Sequence, residues 1–548
     1  MKQLPKLTGC VPCDNIKNNY LRMKNIKTIV YVCIFAFSMM ACNDKWDEHY
    51  QAKVTGTKSE LNLYEYIKSQ SELSIFADMI RIAGYDKVLS SSQTYTVWAP
   101  VNESLKNFDL TDTIAVTNIV KNHITRFLYS AADLSSTPVN MLSNKIIVFE
   151  RRNEDFVLGN SRLAAAEVLA KNGIVHTLET YVPYMYNIWE FIGRTPGLDS
   201  LKKFLYSQSE YVFDEEASVE IGTNEFNQAI YDSVIIFSNP ILDRIGSLYL
   251  EDSLYTAVLP DNKAWSSVYN KVKQNFKVLP DAGGAAMQRL YTQKAIVEDL
   301  IFRVPDVKTD LTLADSLIAT SGSVFKPSAR LFENATKHEL SNGFAFVTDS
   351  LRFKASESWQ KPIKIEAEYT DFGRTYDYAN IYLRSGAGSS YEVSKNRYLL
   401  VECTSPMTPG AVTFPVPNTL SGKYRIYCVF VPSSIVLPSD TLRKYKVQFN
   451  VSFTSNSGKP VVNAAISSTN KVLTTTGAKA ADFETLPGKV TKMFVTEMDL
   501  SYCNILTEES TNSDITFKVK VSSSAKVTET VRFDRNMRVD YIILEPVE

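Results

Sequence analysis

Histidines, which often serve acid–base catalysis and zinc binding, are few in this 548-residue chain, and they are widely separated. The four histidines, His49, His123, His176 and His338, show no zinc-type spacing such as H-E-x-x-H. The sequence also has no G-x-S-x-G nucleophile elbow and no P-loop. A glycosidase needs only two carboxylates, which can lie far apart in sequence and leave no local pattern. The motifs therefore favour a protein that is not an enzyme, and a polysaccharide hydrolase stays as an alternative.

Cys42 has the clearest sequence context for a covalent modification. Basic residues at 23–27 precede an apolar stretch at 28–41, which is shorter than the ~20 residues of a membrane-spanning helix. The small residue Ala41 directly before Cys42 resembles the lipobox of bacterial lipoproteins, in which the cysteine is acylated. We therefore predict a lipoprotein signal peptide at 23–41 and lipidation of Cys42. The acidic residues at 43–48 are similar to the surface-export signal of Bacteroidota lipoproteins, which implies an outer-membrane protein facing the cell exterior.

Residues 1–22 contain a C-x-x-C pair, Cys10 and Cys13, upstream of the predicted signal peptide. No domain surrounds this pair, so we interpret residues 1–22 as a mis-assigned start rather than a redox or metal motif. Residues 42–57 are predicted to be a surface linker. The cysteines that follow are Cys403, Cys428 and Cys503, an odd number that argues against a disulfide framework.

The charge balance excludes one class of partner. Lys and Arg total 59 and Asp and Glu total 60, so the chain has no net positive field for a phosphate backbone. We therefore expect no nucleic-acid binding.

Four sequence blocks recur in the same order, which indicates a duplicated unit. In each pair the second segment echoes the first: 63–67 and 188–192, 94–105 and 254–265, 119–124 and 296–301, 172–176 and 342–346. The apolar spacing at 71–89 predicts helix with Gly84 near its end, and residues 95–98 and 174–178 are predicted strands. The repeated unit is therefore α+β.

These blocks resemble the fasciclin (FAS1) domain, through Y-T-V-W-A-P-V-N-E-S-L at 95–105, a central His and N-G-I-V-H at 172–176. The resemblance implies two tandem FAS1-like domains, at 58–186 and 187–352, a role in cell adhesion and no enzymatic activity. The family's adhesive Tyr-His pair is kept only as His123, and the second copy has neither residue. We therefore expect His123 and His176 to stabilise the fold rather than to bind a partner.

The second copy also contains an insertion at 211–239. Its acidic residues Asp214, Glu215 and Glu216 could serve acid/base chemistry, but adjacent like charges are more typical of a solvated loop, which is our prediction for them.

From residue 353 onward the pattern favours an all-β sandwich of jelly-roll type. Three phrases, I-E-A-E at 365–368, S-G-K-Y-R-I at 421–426 and V-D-Y-I at 539–542, resemble galactose-binding-like carbohydrate-binding modules. That resemblance implies a structural calcium held by Glu366, Glu368 and Asp540, since calcium prefers carboxylate oxygens. The alternative for these three residues is surface carboxylates on edge strands.

A saccharide site requires exposed aromatic rings beside polar groups. Tyr376, Tyr378 and Tyr382 lie in a loop-like segment and are our candidates for ligand binding, although Tyr is also ordinary strand filling.

We therefore expect a non-enzymatic, lipid-anchored surface protein for adhesion or for binding a surface or extracellular glycan or protein partner. Apart from the implied calcium, no cofactor is expected. A structural subunit of an outer-membrane glycan-uptake assembly is the main alternative.

Overall fold

A computed structural model describes residues 57–132, 136–165, 167–223, 229–306, 309–369, 373–506 and 513–547. The chain divides into two compact units, residues 1–185 and 186–548. The predicted signal peptide, Cys42 and the C-x-x-C pair lie outside the described residues, as does all but the last residue of the predicted linker.

The described part of the first unit combines five short helices with two sheets. Its helices are α1 (Leu63–Ser69), α2 (Ser74–Ile82), α3 (Asp86–Leu89), α4 (Asn102–Leu105) and α5 (Thr113–Lys121), with a 3₁₀ turn at Ser71–Leu73. Its strands are β1 (Thr57–Lys58), β2 (Tyr95–Pro100), β3 (Ile124–Arg126), β4 (Ser136–Asn140), β5 (Ile146–Arg152), β6 (Asp155–Leu158), β7 (Ser161–Arg162), β8 (Val168–Ala170) and β9 (Gly173–Leu178). One sheet has the order β1-β8-β9-β2-β3 and the other β4-β5-β6-β7.

Asn172 connects separate parts of this first unit. Its side-chain oxygen accepts from the backbone N–H of Leu63 at 2.8 Å, and its amide donates to the carbonyls of Leu89 and Ser91 at 2.9 and 2.7 Å. A buried backbone group without a partner is costly, so one asparagine stabilises the start of α1 and the end of α3 together. The next residue, Gly173, begins β9, which pairs in parallel with β2.

The second unit begins with an arrangement of the same kind. Its helices are α6 (Ile188–Arg194), α7 (Asp199–Ser207), α8 (Leu242–Ile245), α9 (Asn262–Val272) and α10 (Gly284–Val297). Short 3₁₀ turns lie at Lys273–Asn275, Pro280–Ala282, Leu311–Leu313 and Ala329–Phe332. The strands are β10 (Glu210–Thr223), β11 (Ala229–Ser238), β12 (Tyr255–Pro260), β13 (Ile301–Arg303), β14 (Leu317–Ile318), β15 (Val324–Phe325), β16 (Thr336–Leu340) and β17 (Gly343–Thr348).

The main sheet of this region, β13-β12-β17-β16, repeats the order β3-β2-β9-β8, and in both the two central strands are parallel. Asn342 repeats the bonds of Asn172. It accepts from the N–H of Ile188 at 2.9 Å and donates to the carbonyls of Leu248 and Leu250 at 2.8 and 2.9 Å.

The inserted segment forms a separate two-stranded sheet of β10 and β11. Asp214, Glu215 and Glu216 lie within β10, so the predicted solvated loop is wrong. The reason is that β-branched and aromatic residues on both sides of the acidic triplet favour extended backbone and pair with the matching residues of β11.

The described residues of the remainder of the second unit form two antiparallel sheets around a large apolar core. Its strands are β18 (Ile363–Glu366), β19 (Thr375–Asp377), β20 (Ala379–Ser385), β21 (Arg397–Cys403), β22 (Ala411–Pro415), β23 (Gly422–Phe430), β24 (Lys446–Thr454), β25 (Pro460–Ile466), β26 (Val472–Leu473), β27 (Phe483–Glu484), β28 (Thr491–Leu500), β29 (Thr516–Val521) and β30 (Met537–Pro546). Four 3₁₀ turns lie at Ala355–Glu357, Ser394–Asn396, Ser433–Ile435 and Val527–Glu529.

One of these sheets has the order β20-β21-β30-β23-β28, with β18 also pairing β30, and the other has the order β19-β22-β29-β24-β25-β26, with β27 pairing β24. The strands predicted from β-branched and aromatic content at 398–403, 424–430, 445–451 and 539–544 correspond to β21, β23, β24 and β30.

Contacts also join the two parts of the second unit. The amide of Asn275 donates to the carbonyl of Ser421 at 2.9 Å, and the N–H of Ser421 donates to the carbonyl of Asn275 at 2.8 Å. Leu420 belongs to the same apolar cluster as Trp265 on α9. The helical part and the two-sheet part are therefore packed together through hydrogen bonds and apolar contact.

Candidate functional site

The three carboxylates predicted from the sequence lie together. Glu366 ends β18, Glu368 follows two residues later, and Asp540 lies on β30 next to Tyr541, the pairing partner of Glu366. Their exposed fractions are 5%, 4% and 1%, so the alternative of surface carboxylates is wrong. The cause is the pairing of β18 with β30, a central strand rather than an edge strand. We call Glu366, Glu368 and Asp540 the carboxylate cluster.

Part of the cluster lacks hydrogen-bond partners. Ser394 donates to Glu366 Oε1 from its hydroxyl at 2.8 Å and to both oxygens of Asp540 from its N–H at 3.1 and 3.2 Å. Lys364 Nζ lies 3.1 Å from Glu366 Oε1. Glu366 Oε2 and both carboxylate oxygens of Glu368 have no hydrogen-bond partner among the described residues. Buried carboxylate oxygens without partners are costly, so the described residues compensate the cluster incompletely.

The electrostatics of the cluster agree with this geometry. Burial, followed by the neighbouring charges of Glu366 and Glu368, raises the pKa of Asp540 to about 7, against the lowering effect of the Ser394 N–H. Burial also raises the pKa of Glu368, and the charge of Glu366 adds to this effect. Both shifts disfavour the ionised forms of Asp540 and Glu368.

The chemistry of the cluster fits a hard divalent cation, because all of its donors are carboxylate oxygens and three of them are unsatisfied. No group of three or more His, Cys, Asp or Glu side chains is gathered as a ligand set anywhere in the described ranges. Calcium binding by Glu366, Glu368 and Asp540 therefore stays a prediction.

A groove of about 620 Å³ lies beside the cluster. Asp540 belongs to both, and Lys364 and Ser394, which contact the cluster, also line the groove. Its lining includes two tyrosines, three lysines and the hydroxyls of Ser390 and Ser394, a mixture typical of sites for polar ligands. Its charged and aromatic lining residues are Lys364, Tyr391, Glu392, Lys489, Lys492, Asp540 and Tyr541.

Several groove side chains are held in place by neighbours. The Lys364 ammonium lies 4.0 Å from the centre of the Tyr541 ring, and the Tyr391 hydroxyl lies 2.6 Å from Ser434 Oγ. Lys492 pairs with Glu545 at 2.6 Å. These contacts pre-orient hydrogen-bond donors along the groove, which lowers the entropy cost of binding.

Tyr376, Tyr378 and Tyr382 are all exposed. Tyr376 lies on β19 in one sheet, Tyr382 lies on β20 in the other, and Tyr378 is between the two strands with a positive φ of 48°. They therefore mark the crossover between two edge strands, and the predicted loop is wrong for Tyr376 and Tyr382. Tyr382 already stacks with Arg384, whose guanidinium lies 4.9 Å from the ring centre.

His123 and His176 are buried and hydrogen-bonded to backbone, in agreement with the prediction that they stabilise the fold. The Nδ1 of His123 donates to the carbonyl of Ile119 at 2.8 Å, and its Nε2 accepts from the N–H of Val182 at 2.9 Å. His176 Nε2 lies 2.7 Å from the carbonyl of Tyr129. Burial lowers the pKa of His123 to about 4 and lowers the pKa of His176.

We expect the first unit to lose stability as the pH falls from about 6.5 to about 4. An unfolded His123 takes up a proton near pH 6.5, whereas the folded ring does so only near pH 4, so acid favours the unfolded state by up to about 3 kcal/mol. Replacing His123 with Leu, the residue at the matching position 300, is expected to flatten this pH dependence while lowering stability at neutral pH. Urea unfolding between pH 4 and 8 measures both effects, and an unchanged slope in H123L would contradict the assignment.

The groove was not predicted from the sequence. Tyr391 and Lys489 lie on connections between strands, and no spacing pattern links them to Asp540. The only available signal was the V-D-Y-I phrase, which places Tyr541 directly after Asp540.

Within the part of the chain that the structure describes, no helix combines the length and hydropathy of a membrane span.

Comparison with known proteins gives one family match. Residues 71–182 match the model of the fasciclin domain. A curated relative, transforming growth factor-beta-induced protein ig-h3 of Sus scrofa, is 26% identical over 124 residues, which is 21% of this chain. The match spans only 18% of that relative's length.

Solved structures also align, with low TM-scores. A FAS1 domain pair from the insect cell adhesion molecule Fasciclin I is 16% identical, covers 52% of this chain and 98% of its own, and has a TM-score of 0.20. A family 35 carbohydrate binding module from Clostridium thermocellum is 13% identical, covers 34% of this chain and 99% of its own, and has a TM-score of 0.17. Likenesses at this level establish neither a ligand nor an activity. From the family match we conclude that the chain contains a fasciclin domain, at residues 71–182.

Proposed function

We propose that this chain is a non-enzymatic, lipid-anchored cell-surface protein that binds a glycan through its C-terminal region. In this proposal Cys42 is lipidated and anchors the protein to an outer membrane, facing the cell exterior. Two tandem fasciclin-like domains, at 58–186 and 187–352, precede a jelly-roll-like sandwich at 353–548.

The recurring architecture supports the tandem arrangement. The main sheets around β2 and β12 share one strand order, and Asn172 and Asn342 each make three equivalent bonds. Both asparagines precede a glycine that starts a central strand. A shared set of long-range bonds is more specific than a shared composition, because each bond joins segments far apart in sequence.

The observation that carries the glycan proposal is the groove. Tyr391 and Tyr541 supply aromatic surface, and the lysines and serine hydroxyls supply donors for a hydroxyl-rich ligand. We propose that a calcium ion held by the carboxylate cluster stabilises the floor of this groove, since Asp540 belongs to both. The exposed Tyr376, Tyr378 and Tyr382 form a second candidate surface, outside the groove.

Glycan-array binding by the chain from residue 43 onward tests the proposal. We expect Tyr391→Ala and Lys489→Ala each to weaken binding at least tenfold, about 1.4 kcal/mol, because each removes a group that faces the ligand. Tyr211→Ala, at an exposed tyrosine on β10, is the matched control and is expected to bind as the wild type does.

Other results of the glycan-array experiment would support a different site or a different function. Loss of binding in Tyr376→Ala or Tyr378→Ala, with the groove variants unaffected, would move the site to the β19–β20 crossover. Glu392 and Asp540 both line the groove, so release of reducing ends would favour the hydrolase alternative. Absence of glycan binding in every variant and in the wild type would favour a structural subunit of a glycan-uptake assembly.

A further inference from the structure

The strands β10 and β11 form a ribbon that exposes apolar side chains on both faces. Tyr211 pairs with Phe237 and Val212 with Ile236, so Tyr211 and Val212 point to opposite faces. Tyr211 is 78% exposed and Ile235 is 62% exposed, and Val212, Val234 and Ile236 are also exposed. We call Tyr211, Val212, Val234, Ile235 and Ile236 the ribbon patch. Exposed apolar side chains concentrated in one short ribbon mark an interaction site more often than an ordinary part of a monomer surface.

The base of the ribbon is fixed to the rest of the unit. The amide of Asn239 donates to the carbonyl of Leu205 and to Ser209 Oγ, both at 2.9 Å, which joins the two ends of the insertion. Phe237 packs against Tyr249 and Trp189, with ring centroids 4.8 and 5.8 Å apart. The ribbon patch is therefore presented from a defined base.

The negative charge of the ribbon indicates which kind of partner it can bind. Residues 210–238 contain seven Asp and Glu and no Lys or Arg. Two such ribbons repel each other, which disfavours a second copy, and an anionic membrane surface repels them as well. A protein surface with lysine or arginine around an apolar patch complements both properties of the ribbon.

We propose that the ribbon patch is a docking surface for a protein partner whose apolar contact residues are surrounded by basic side chains. The outer edges of β10 and β11 pair with no other strand among the described residues, so the partner can also add a strand to the ribbon. This docking is independent of the groove and of any glycan.

Two nine-residue peptides serve as probes, one alternating Lys with Val and the other alternating Glu with Val. By fluorescence anisotropy, we expect the Lys-Val peptide to bind the full chain saturably and to weaken as salt rises, because the attraction is partly electrostatic. The double variant Tyr211→Ser, Ile235→Ser is expected to bind it at least tenfold more weakly. Leu313→Ser, at another exposed apolar residue of the same unit, is the matched control.

The proposal is overturned if the wild type binds neither peptide, binds both equally, or binds no better than the double variant. It is also overturned if sedimentation shows a dimer that the double variant abolishes, since the occupant is then a second copy. Binding to phosphatidylglycerol vesicles that depends on the ribbon patch would assign the surface to a membrane and overturn it as well. Replacing residues 213–235 with Asn-Gly gives a further variant, which is expected to lose peptide binding and keep its melting temperature.

Discussion

Gly343→Ala is expected to lower the free energy of unfolding of the second unit by about 4 kcal/mol, from steric overlap and backbone strain together. A Cβ at this position would lie 1.9 Å from the carbonyl oxygen of Tyr255, and the φ of Gly343 is +131°, which side chains rarely adopt. The contact lies inside the parallel pairing of β12 with β17, so relief requires the two central strands to separate. Few single substitutions reach this size without a mechanism of this kind.

Gly322→Ala is the matched control for this prediction. Gly322 also has a positive φ, +88°, but a Cβ there meets no atom within 4 Å, so only backbone strain of about 1 kcal/mol is expected. Urea unfolding is monitored by proteolysis of each unit. This separates the unfolding transition of the first unit from that of the second, which a single melting curve would merge. Equal losses in both variants would contradict the steric argument. Gly173→Ala repeats the test in the first unit, where the Cβ would lie 2.0 Å from the carbonyl oxygen of Tyr95.

Calcium is expected to raise the melting temperature of the second unit by ~5 °C when its concentration is about one hundred times the dissociation constant. The reason is that a cation supplies the partner that Glu366 Oε2 and both oxygens of Glu368 lack within the described residues. The measurement is a thermal scan of protein treated with EGTA and then dialysed, with and without added calcium.

Glu368→Gln is expected to abolish the calcium response and to change the melting temperature of the calcium-free protein only slightly. Burial and the charge of Glu366 already raise the pKa of Glu368. The substitution therefore removes the repulsion between Glu368 and Glu366 in the calcium-free protein, and it also removes a carboxylate ligand for calcium. Asp499→Asn, at an exposed carboxylate on β28, is the control and is expected to keep the response. A calcium response of equal size in wild type and Glu368→Gln would place the ion elsewhere, and the lack of any response would exclude the cluster as a calcium site.

Much of the α+β architecture could be predicted from the repeated blocks, because they contain the residues that connect distant segments. Asn172 and Asn342 recur with their glycines, and each makes bonds that close its domain. The insertion was harder to predict. A run of acidic residues usually indicates a solvent-exposed loop, but here it lies within the long strand β10, which pairs with β11.

The candidate site was only partly predictable for a physical reason. Glu366 and Asp540 lie in short phrases next to strand patterns, so their proximity followed from a resemblance. The burial of Glu366 and Asp540 could not be predicted in this way, because it depends on the central position of β30 in its sheet. Tyr391 and Lys489 reach the groove from connections whose conformation is set by tertiary packing, and such positions have no periodicity to detect.

The central position of β30 has a consequence for synthesis. β30 hydrogen-bonds with β18, β21 and β23, all of which precede it in the chain. At translation rates of about 5–20 residues per second, roughly 9–35 s separate the emergence of β18 from that of β30. During that interval the earlier strands have apolar faces and open edges without their common neighbour, so they are exposed to aggregation and are natural substrates for chaperones. The fasciclin domain at 71–182 contains all the described strands of its main sheet except the edge strand β1, so its folding does not wait for β30.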